Sequence, residues 1–194
     1  MFKESITKEE LVDLPLKWFE GEIVVVDNEK TLREAVEVLS EQSIIGFDTE
    51  TKPAFKKGVF NKVALLQLST KTQAFLFRIN KIGLPKEVCS ILANPEIAKP
   101  GVAIRDDIKA LLILRYFKPG GFVELQDSAQ ELGILNISLK KLTAITCGFR
   151  ISKGQQLSNW EADELTEKQQ IYAATDAWTS MKIYNKFQSN NDVR

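Results

Sequence analysis

Acidic side chains at three separated places in the chain are the candidates for a reactive site. Asp48 and Glu50 lie two positions apart, Asp106 and Asp107 are adjacent, and Asp176 falls late in the chain. The 194 residues include no histidine, which excludes Ser-His, Cys-His and histidine-metal chemistry. A site made of carboxylates is suited to hard divalent cations bound through oxygen. These residues predict phosphoryl-transfer hydrolysis.

The composition is that of one folded globular domain. Hydrophobic residues make up 44% of the chain and charged residues 27%, which excludes a chain that stays disordered. The 26 basic and 26 acidic residues balance, so any contact with nucleic acid must be local. Two cysteines are too few for a disulfide framework or, without histidine, for a zinc site. The sequence shows no signal core or membrane span, which predicts a cytoplasmic protein without a membrane partner.

A lysine-rich stretch follows the first acidic pair, and Pro53 and Gly58 within it indicate a loop. The stretch could follow a phosphate backbone, but a solvated surface loop is the interpretation that we favour, because most charge runs are solvated. Its lysines are Lys52, Lys56, Lys57 and Lys62.

The elements that would position the acids follow an α/β pattern of hydrophobic periodicity. Strands are predicted at residues 23–26, 44–48, 63–68, 74–77 and 122–125. Helices are predicted at residues 31–39, 85–92, 104–117, 138–148 and 166–187, with further helical pattern from residue 127.

The fold class predicted from this order is α/β, with a mixed β-sheet flanked by α-helices. A capping box from Thr7 to Glu10 begins a short helix at the N-terminus. We therefore expect an N-terminal helical arm over residues 1–22, one catalytic domain over residues 23–188 and a C-terminal tail over residues 189–194.

Periodicity decides which acids can converge. Asp48 and Glu50, at the predicted end of a strand, share one face of the sheet. On the helix that follows Ile104, Asp107 lies about 60° from Ile104 and Asp106 about 160° away, so Asp107 is the better ligand candidate. Taken singly, a strand-end aspartate has an ordinary structural explanation.

Tyr172 and Asp176 are four positions apart and share one face of the last helix. A lone tyrosine there is more often a satisfied core residue. An aspartate on a core-facing stripe, in contrast, requires compensation for its charge. Clustered carboxylates raise one another's pKa unless Mg²⁺ or Mn²⁺ makes the cluster favourable, so a cluster indicates cations.

In this order and at these separations, the acids and Tyr172 resemble the 3′→5′ exonucleases of the DEDD superfamily, tyrosine subclass. The resemblance is strongest toward Werner-type exonuclease domains and RNase D. It is carried by GFDTE at 46–50, KVALLQL at 62–68, GVAI at 101–104, SNW at 158–160, LT at 165–166 and YAATDA at 172–177.

The resemblance implies a ribonuclease-H-like fold and removal of nucleoside 5′-monophosphates from a 3′ end with two Mg²⁺ or Mn²⁺ ions. It implies that Asp48 bridges both metals, Glu50 and Asp176 complete one site, and Asp107 supports the other. Tyr172 would orient the attacking water. Candidate substrate contacts are Thr49, Lys62, Lys153 and Trp160.

Three functions remain open at this point. A DNA-directed exonuclease is preferred, because the central strand and the SNW segment look closer to Werner-type domains than to RNase D. An RNase D-like enzyme that trims RNA 3′ ends is the alternative within the enzyme class. A non-catalytic nucleic-acid-binding module is disfavoured because all four acids and Tyr172 are present. The sequence predicts no particular protein partner.

Overall fold

A mixed β-sheet organises the protein in a computed structural model that describes residues 2–54, 56, 58 and 61–191. One strand pair is parallel and the other two pairs of the main sheet are antiparallel. In spatial order the strands are β1 (Glu22–Val26), β4 (Gln73–Phe77), β3 (Val63–Ser69) and β2 (Gly46–Thr51).

A second pair of strands lies beyond β2. Strands β5 (Lys99–Gly101) and β6 (Phe122–Glu124) are parallel to each other. The Ile45 N–H donates to the Ala98 carbonyl at 2.8 Å, so the chain entering β5 runs alongside the chain entering β2. The helices are α1 (Lys8–Asp13), α2 (Glu29–Ser40), α3 (Ile79–Ile82), α4 (Lys86–Ala93), α5 (Arg105–Leu114), α6 (Leu125–Glu131), α7 (Leu139–Cys147) and α8 (Glu167–Asn191).

Helices cover both faces of the main sheet. Phe75 and Phe77 of β4 belong to a buried cluster with Leu39 of α2, together with residues of α4 and α5. Leu76, between the two phenylalanines, belongs instead to a cluster with Ala173 of α8. Alternate residues of a strand point to opposite faces, so α8 lies on the other side of the sheet from α2, α4 and α5. The predicted α/β fold with a mixed sheet is thus confirmed.

Several element boundaries differ from the sequence prediction. β2 continues to Thr51, so Asp48 and Glu50 lie within the strand and not at its end. α2 begins at Glu29, because the Asn28 side chain accepts hydrogen bonds from the N–H groups of Lys30 and Thr31. A side-chain cap of this kind satisfies donors that a helix start leaves free.

The two longest predicted helices also change length. α5 ends at Leu114 and not at residue 117, although Phe117 is still buried. α8 extends to Asn191 and so crosses the boundary predicted at residue 188. Residues 192–194 of the predicted tail lie outside the described residues. Within the described part of the chain, no helix has the length and apolar character needed to cross a bilayer.

Close contact between β2 and α8 depends on Gly46. A Cβ added at this position would overlap the backbone carbonyl of Ala177 and would lie 3.2 Å from the Cβ of Met181. Because neither neighbour can move without moving α8, glycine sets the distance between the strand that carries Asp48 and the helix that carries Asp176.

Gly46→Ala should therefore destabilise the protein by about 1–3 kcal/mol, the usual cost of forcing extra volume into a packed core. Denaturant unfolding followed by circular dichroism measures this change. Gly154→Ala is the matched control, because its added Cβ would meet only the Ser152 hydroxyl, at 3.3 Å. Equal stability of the two variants would contradict the proposed role of Gly46.

Candidate active site

Three carboxylates converge where β2 meets α8. Asp48 and Glu50 point to the same face of β2, as residues two apart on a strand must. Asp176 reaches the same point from α8. One carboxylate oxygen from each residue lies within 4.8 Å of the others, so all three could bind a single cation.

Burial and mutual repulsion disfavour ionisation of this group. Burial raises the pKa of Asp48 well above its usual range, and the charges of Asp176 and Glu50 raise it further. Burial likewise raises the pKa of Glu50 to about 9 and that of Asp176 to about 7. Carboxylates that cannot all be charged alone become favourable ligands once a divalent cation supplies the opposite charge. The donor set therefore fits a hard metal ion.

Tyr172 lies one helical turn before Asp176 on α8, and its hydroxyl lowers the pKa of Asp176 against the larger effect of burial. Burial, followed by the charges of Asp176 and Glu50, raises the pKa of the Tyr172 hydroxyl. The hydroxyl consequently stays protonated at neutral pH. The tyrosine ring packs against Trp160, with ring centroids 6.0 Å apart and an interplanar angle of 36°.

The two adjacent aspartates of α5 have different surroundings. The Thr49 hydroxyl donates a 2.5 Å hydrogen bond to Asp107 Oδ1. Asp106 instead pairs with Lys109 at 2.8 Å, and its side chain is 92% exposed. Asp107 is not one of the three converging carboxylates, yet its charge contributes to the raised pKa values of Asp48 and Glu50. The structure thus brings Asp107, and not Asp106, to the edge of the site.

Glu124 fixes the start of α5, a role that the sequence analysis missed. Its carboxylate accepts hydrogen bonds from the N–H groups of Ala103 at 2.9 Å and Ile104 at 2.8 Å. Ala103 has φ 61°, a left-handed conformation that costs a non-glycine residue energy. Glu124 follows Ala103 by 21 residues, so no local sequence pattern could have indicated this contact.

Gln67 is a second residue that the sequence analysis missed. It lies opposite Asp48 in the antiparallel pairing of β2 and β3, so the two side chains share one face of the sheet. Its side chain is fully buried, and its amide finds no hydrogen-bond partner among the described residues. A buried amide without a partner is costly, so Gln67 is an unsatisfied polar group next to the strand that carries Asp48.

A cleft of about 350 Å³ opens over the carboxylates. Thr49, Tyr172 and Lys153 line it, and the Lys153 charge lowers the pKa of Asp176 against the larger effect of burial. Two predicted substrate contacts lie elsewhere. Lys62 is exposed and outside the described cleft lining, and Trp160 is fully buried beneath Tyr172.

The predicted lysine-rich loop is only partly described. Lys57 lies outside the described residues. Lys52 pairs with Glu161 at 3.2 Å, and Lys56 is exposed. These placements agree with a solvated surface.

Comparison with known proteins shows that the chain is similar to 3′-5′ exonucleases, which agrees with the cluster of carboxylates. Residues 23–192 match the family model described as 3′-5′ exonuclease. The chain is 35% identical over 202 residues to the mouse (Mus musculus) bifunctional 3′-5′ exonuclease/ATP-dependent helicase WRN. That alignment covers 98% of this chain and 14% of the mouse protein, so the chain spans a small part of this relative's length.

Two solved structures show the same fold. The Aedes aegypti Nibbler EXO domain superposes with a TM-score of 0.81 at 22% identity, over 92% of this chain and 93% of that chain. Trypanosoma brucei RNase D in complex with RNA U12 superposes with a TM-score of 0.79 at 23% identity, over 90% of this chain and 65% of that chain. The fold is ribonuclease-H-like.

The raised carboxylate pKa values predict a pH dependence of stability without metal. Between about pH 4 and pH 9 the folded protein binds more protons at Glu50 and Asp176 than the unfolded chain does, so its stability should fall as pH rises. Thermal unfolding in EDTA should show a Tm that decreases from pH 5 to pH 9, by about 2–4 °C for each kcal/mol lost. Asp176→Asn should flatten this decrease, and a rising Tm over this window would contradict the prediction.

The surroundings of the two α5 aspartates predict that the same substitution lowers activity at one position and leaves it unchanged at the other. Asp107→Asn should lower nuclease activity by at least about 10-fold, because it removes a charge at the edge of the carboxylate cluster. Asp106→Asn should leave activity within about 2-fold of wild type, because it alters only an exposed ion pair. Initial rates on a labelled oligonucleotide compare them, and the reverse order of damage would refute the assignment.

Proposed function

Because the chain belongs to the 3′-5′ exonuclease family, we propose that it hydrolyses phosphodiester bonds at the 3′ end of a nucleic-acid strand and releases nucleoside 5′-monophosphates. The observation that carries the proposal is the convergence of Asp48, Glu50 and Asp176, with one oxygen from each within 4.8 Å of the others. Carboxylates gathered this closely serve metal-assisted hydrolysis better than any structural purpose.

The proposal includes two Mg²⁺ or Mn²⁺ ions. Asp48 would be shared between two sites, with Glu50 and Asp176 completing one and Asp107 supporting the other. The raised pKa values of these acids support this assignment. When bound, the ions neutralise charge on the phosphodiester and acidify the attacking water.

The remaining residues of the cleft would bind and orient the substrate. The Tyr172 hydroxyl, one helical turn from Asp176 and kept protonated by its raised pKa, would orient the attacking water through a hydrogen bond. Lys153, which also lines the cleft, would contact a phosphate. Thr49 would act through the position of Asp107. We assign Trp160 to holding the Tyr172 ring in place, since its burial keeps it from the substrate.

We propose DNA as the preferred substrate, supported by the 35% identity with mouse WRN over 98% of this chain. RNA trimming is the second candidate, supported by the fold shared with an RNase D that was solved with RNA U12. The 2′-hydroxyl of RNA is the group by which such a site could distinguish an RNA strand from a DNA strand. A non-catalytic binding module is a weaker proposal, because the full set of acids is retained.

The compartment and the domain limits are also proposals. A reducing, cytoplasmic location is supported by the free thiols of Cys89 and Cys147. We propose an N-terminal arm over residues 1–22, a catalytic domain over residues 23–188 and a C-terminal tail over residues 189–194. The family match begins at residue 23 and so supports the boundary between the arm and the catalytic domain.

One assay tests the activity and the substrate preference together. Equal-length DNA and RNA oligonucleotides, labelled at the 5′ end, are incubated with the protein in Mn²⁺ or in excess EDTA. We expect stepwise shortening of DNA, faster than that of RNA, only with Mn²⁺. Asp48→Asn should lower the rate at least about 1000-fold, which corresponds to about 4 kcal/mol of transition-state stabilisation.

The control variant is Asp13→Asn, which alters an exposed acid of α1 and should leave the rate unchanged. Undiminished hydrolysis in EDTA would refute the metal mechanism. Faster trimming of RNA would favour the RNase D-like alternative, and release of internal fragments would indicate an endonuclease.

A further inference from the structure

A groove follows the flank of α8 that does not carry the carboxylates. Three adjoining cavities of about 200, 590 and 440 Å³ form it, and Lys17 lines all three. One wall is α8, from Lys168 to Ser189, and the other includes the segment from Leu16 to Gly21. We call this surface the α8 groove.

The α8 groove concentrates positive charge in a chain whose net charge is zero. Five lysines line it, and Glu20 is the one acid among its described lining residues. No described carboxylate lies within 4.0 Å of any of the five ammonium groups. The five are Lys17, Lys71, Lys168, Lys182 and Lys186.

Hydrogen bonds fix the backbone of the segment from Leu16 to Gly21 on both sides of Trp18, whose indole is exposed. The Lys17 N–H donates to the Arg150 carbonyl at 3.0 Å, and the Phe19 N–H donates to the Thr175 hydroxyl of α8 at 3.0 Å. Trp18, between these two anchors, is 48% exposed. A rigidly mounted, exposed aromatic ring beside lysines is the combination that stacks bases and holds phosphates.

The α8 groove is continuous with the catalytic cleft. Tyr172 and Ser152 line both the cleft and the first of the three cavities. From Tyr172 to Lys186, α8 rises about 21 Å at 1.5 Å per residue. A strand stacked at about 3.4 Å per nucleotide needs about six nucleotides to cover that length.

We propose that the α8 groove binds the backbone of the substrate strand on the 5′ side of the nucleotides held in the cleft. The inference extends the proposed function and rests on it. A polyanion is favoured over a protein partner because five lysines line a groove that meets the proposed catalytic cleft at Tyr172. Phosphates in the groove would pair with these ammonium groups, while Trp18 would stack on one base.

The proposal predicts an effect that depends on substrate length. With Lys17→Glu/Lys182→Glu, kcat/KM on a 20-nucleotide DNA strand should fall about 10-fold, whereas kcat/KM on a trinucleotide should stay unchanged. Trp18→Ala should lower kcat/KM on the long strand by at least about 5-fold, the scale of losing one stacked base. The matched controls are Lys118→Glu and Tyr116→Ala, two exposed residues outside the groove, and both should behave as wild type.

Binding measured without hydrolysis separates failure of this inference from failure of the proposed function. Fluorescence anisotropy of the labelled 20-nucleotide strand in EDTA gives the affinity at several salt concentrations. Lys17→Gln/Lys182→Gln should make the slope of log K against log[salt] shallower by about 1.4, or 0.7 for each lost phosphate contact.

Unchanged affinity, salt slope and long-strand rate in the groove variants would overturn the inference and leave the α8 groove to a protein partner. Equal losses on the trinucleotide and the long strand would also overturn it, because they would indicate damage to the cleft. If the groove variants weaken strand binding but the wild type hydrolyses no strand, the proposed function is refuted and the α8 groove remains a nucleic-acid-binding surface.

Discussion

The packing of α8 against β2 is the contact on which the rest of the site depends. It places Asp176 beside Asp48 and Glu50, and it is possible only because Gly46 lets the strand approach the Ala177 carbonyl. The same contact forces buried acids together, which raises their pKa values. Apolar clusters on both faces of the sheet stabilise this arrangement, so the hydrophobic core supports a cluster of carboxylates that would otherwise separate.

Residues in and around the cleft hold the elements of the site in position. Glu124 fixes the start of α5, and Thr49 holds Asp107. Beneath Tyr172, Trp160 lies in a loop whose position depends on Arg78. That guanidinium is buried and donates to the carbonyls of Ala162 and Asp163. A buried guanidinium bound to two carbonyls is a strong local constraint, and it acts on the loop whose Trp160 indole packs against Tyr172.

Charge is separated along a single helix. One side of α8 carries Asp176 and faces the acidic cleft, and an adjacent flank carries Lys168, Lys182 and Lys186. A balanced total charge hides this separation, because the formal sum is zero. Local fields depend on where charges lie and not on their sum, so a net-neutral protein can place an acidic cleft beside a groove lined by lysines.

The fold class, the main strands and helices and the candidate acids could be predicted from the sequence, because each depends on local periodicity and residue type. It distinguished Asp107 from Asp106 by helix phase, and the different environments of the two side chains agree with that distinction. It did not determine the end of β2 or the start of α2, where pairing with β3 and the Asn28 cap decide the boundary. The burial of Trp160, the hydrogen bonds that Glu124 accepts at the start of α5, the position of Gln67 opposite Asp48 and the groove lined by lysines from three parts of the chain appear only in the folded structure. Such contacts join residues far apart in the chain, and no local pattern encodes them.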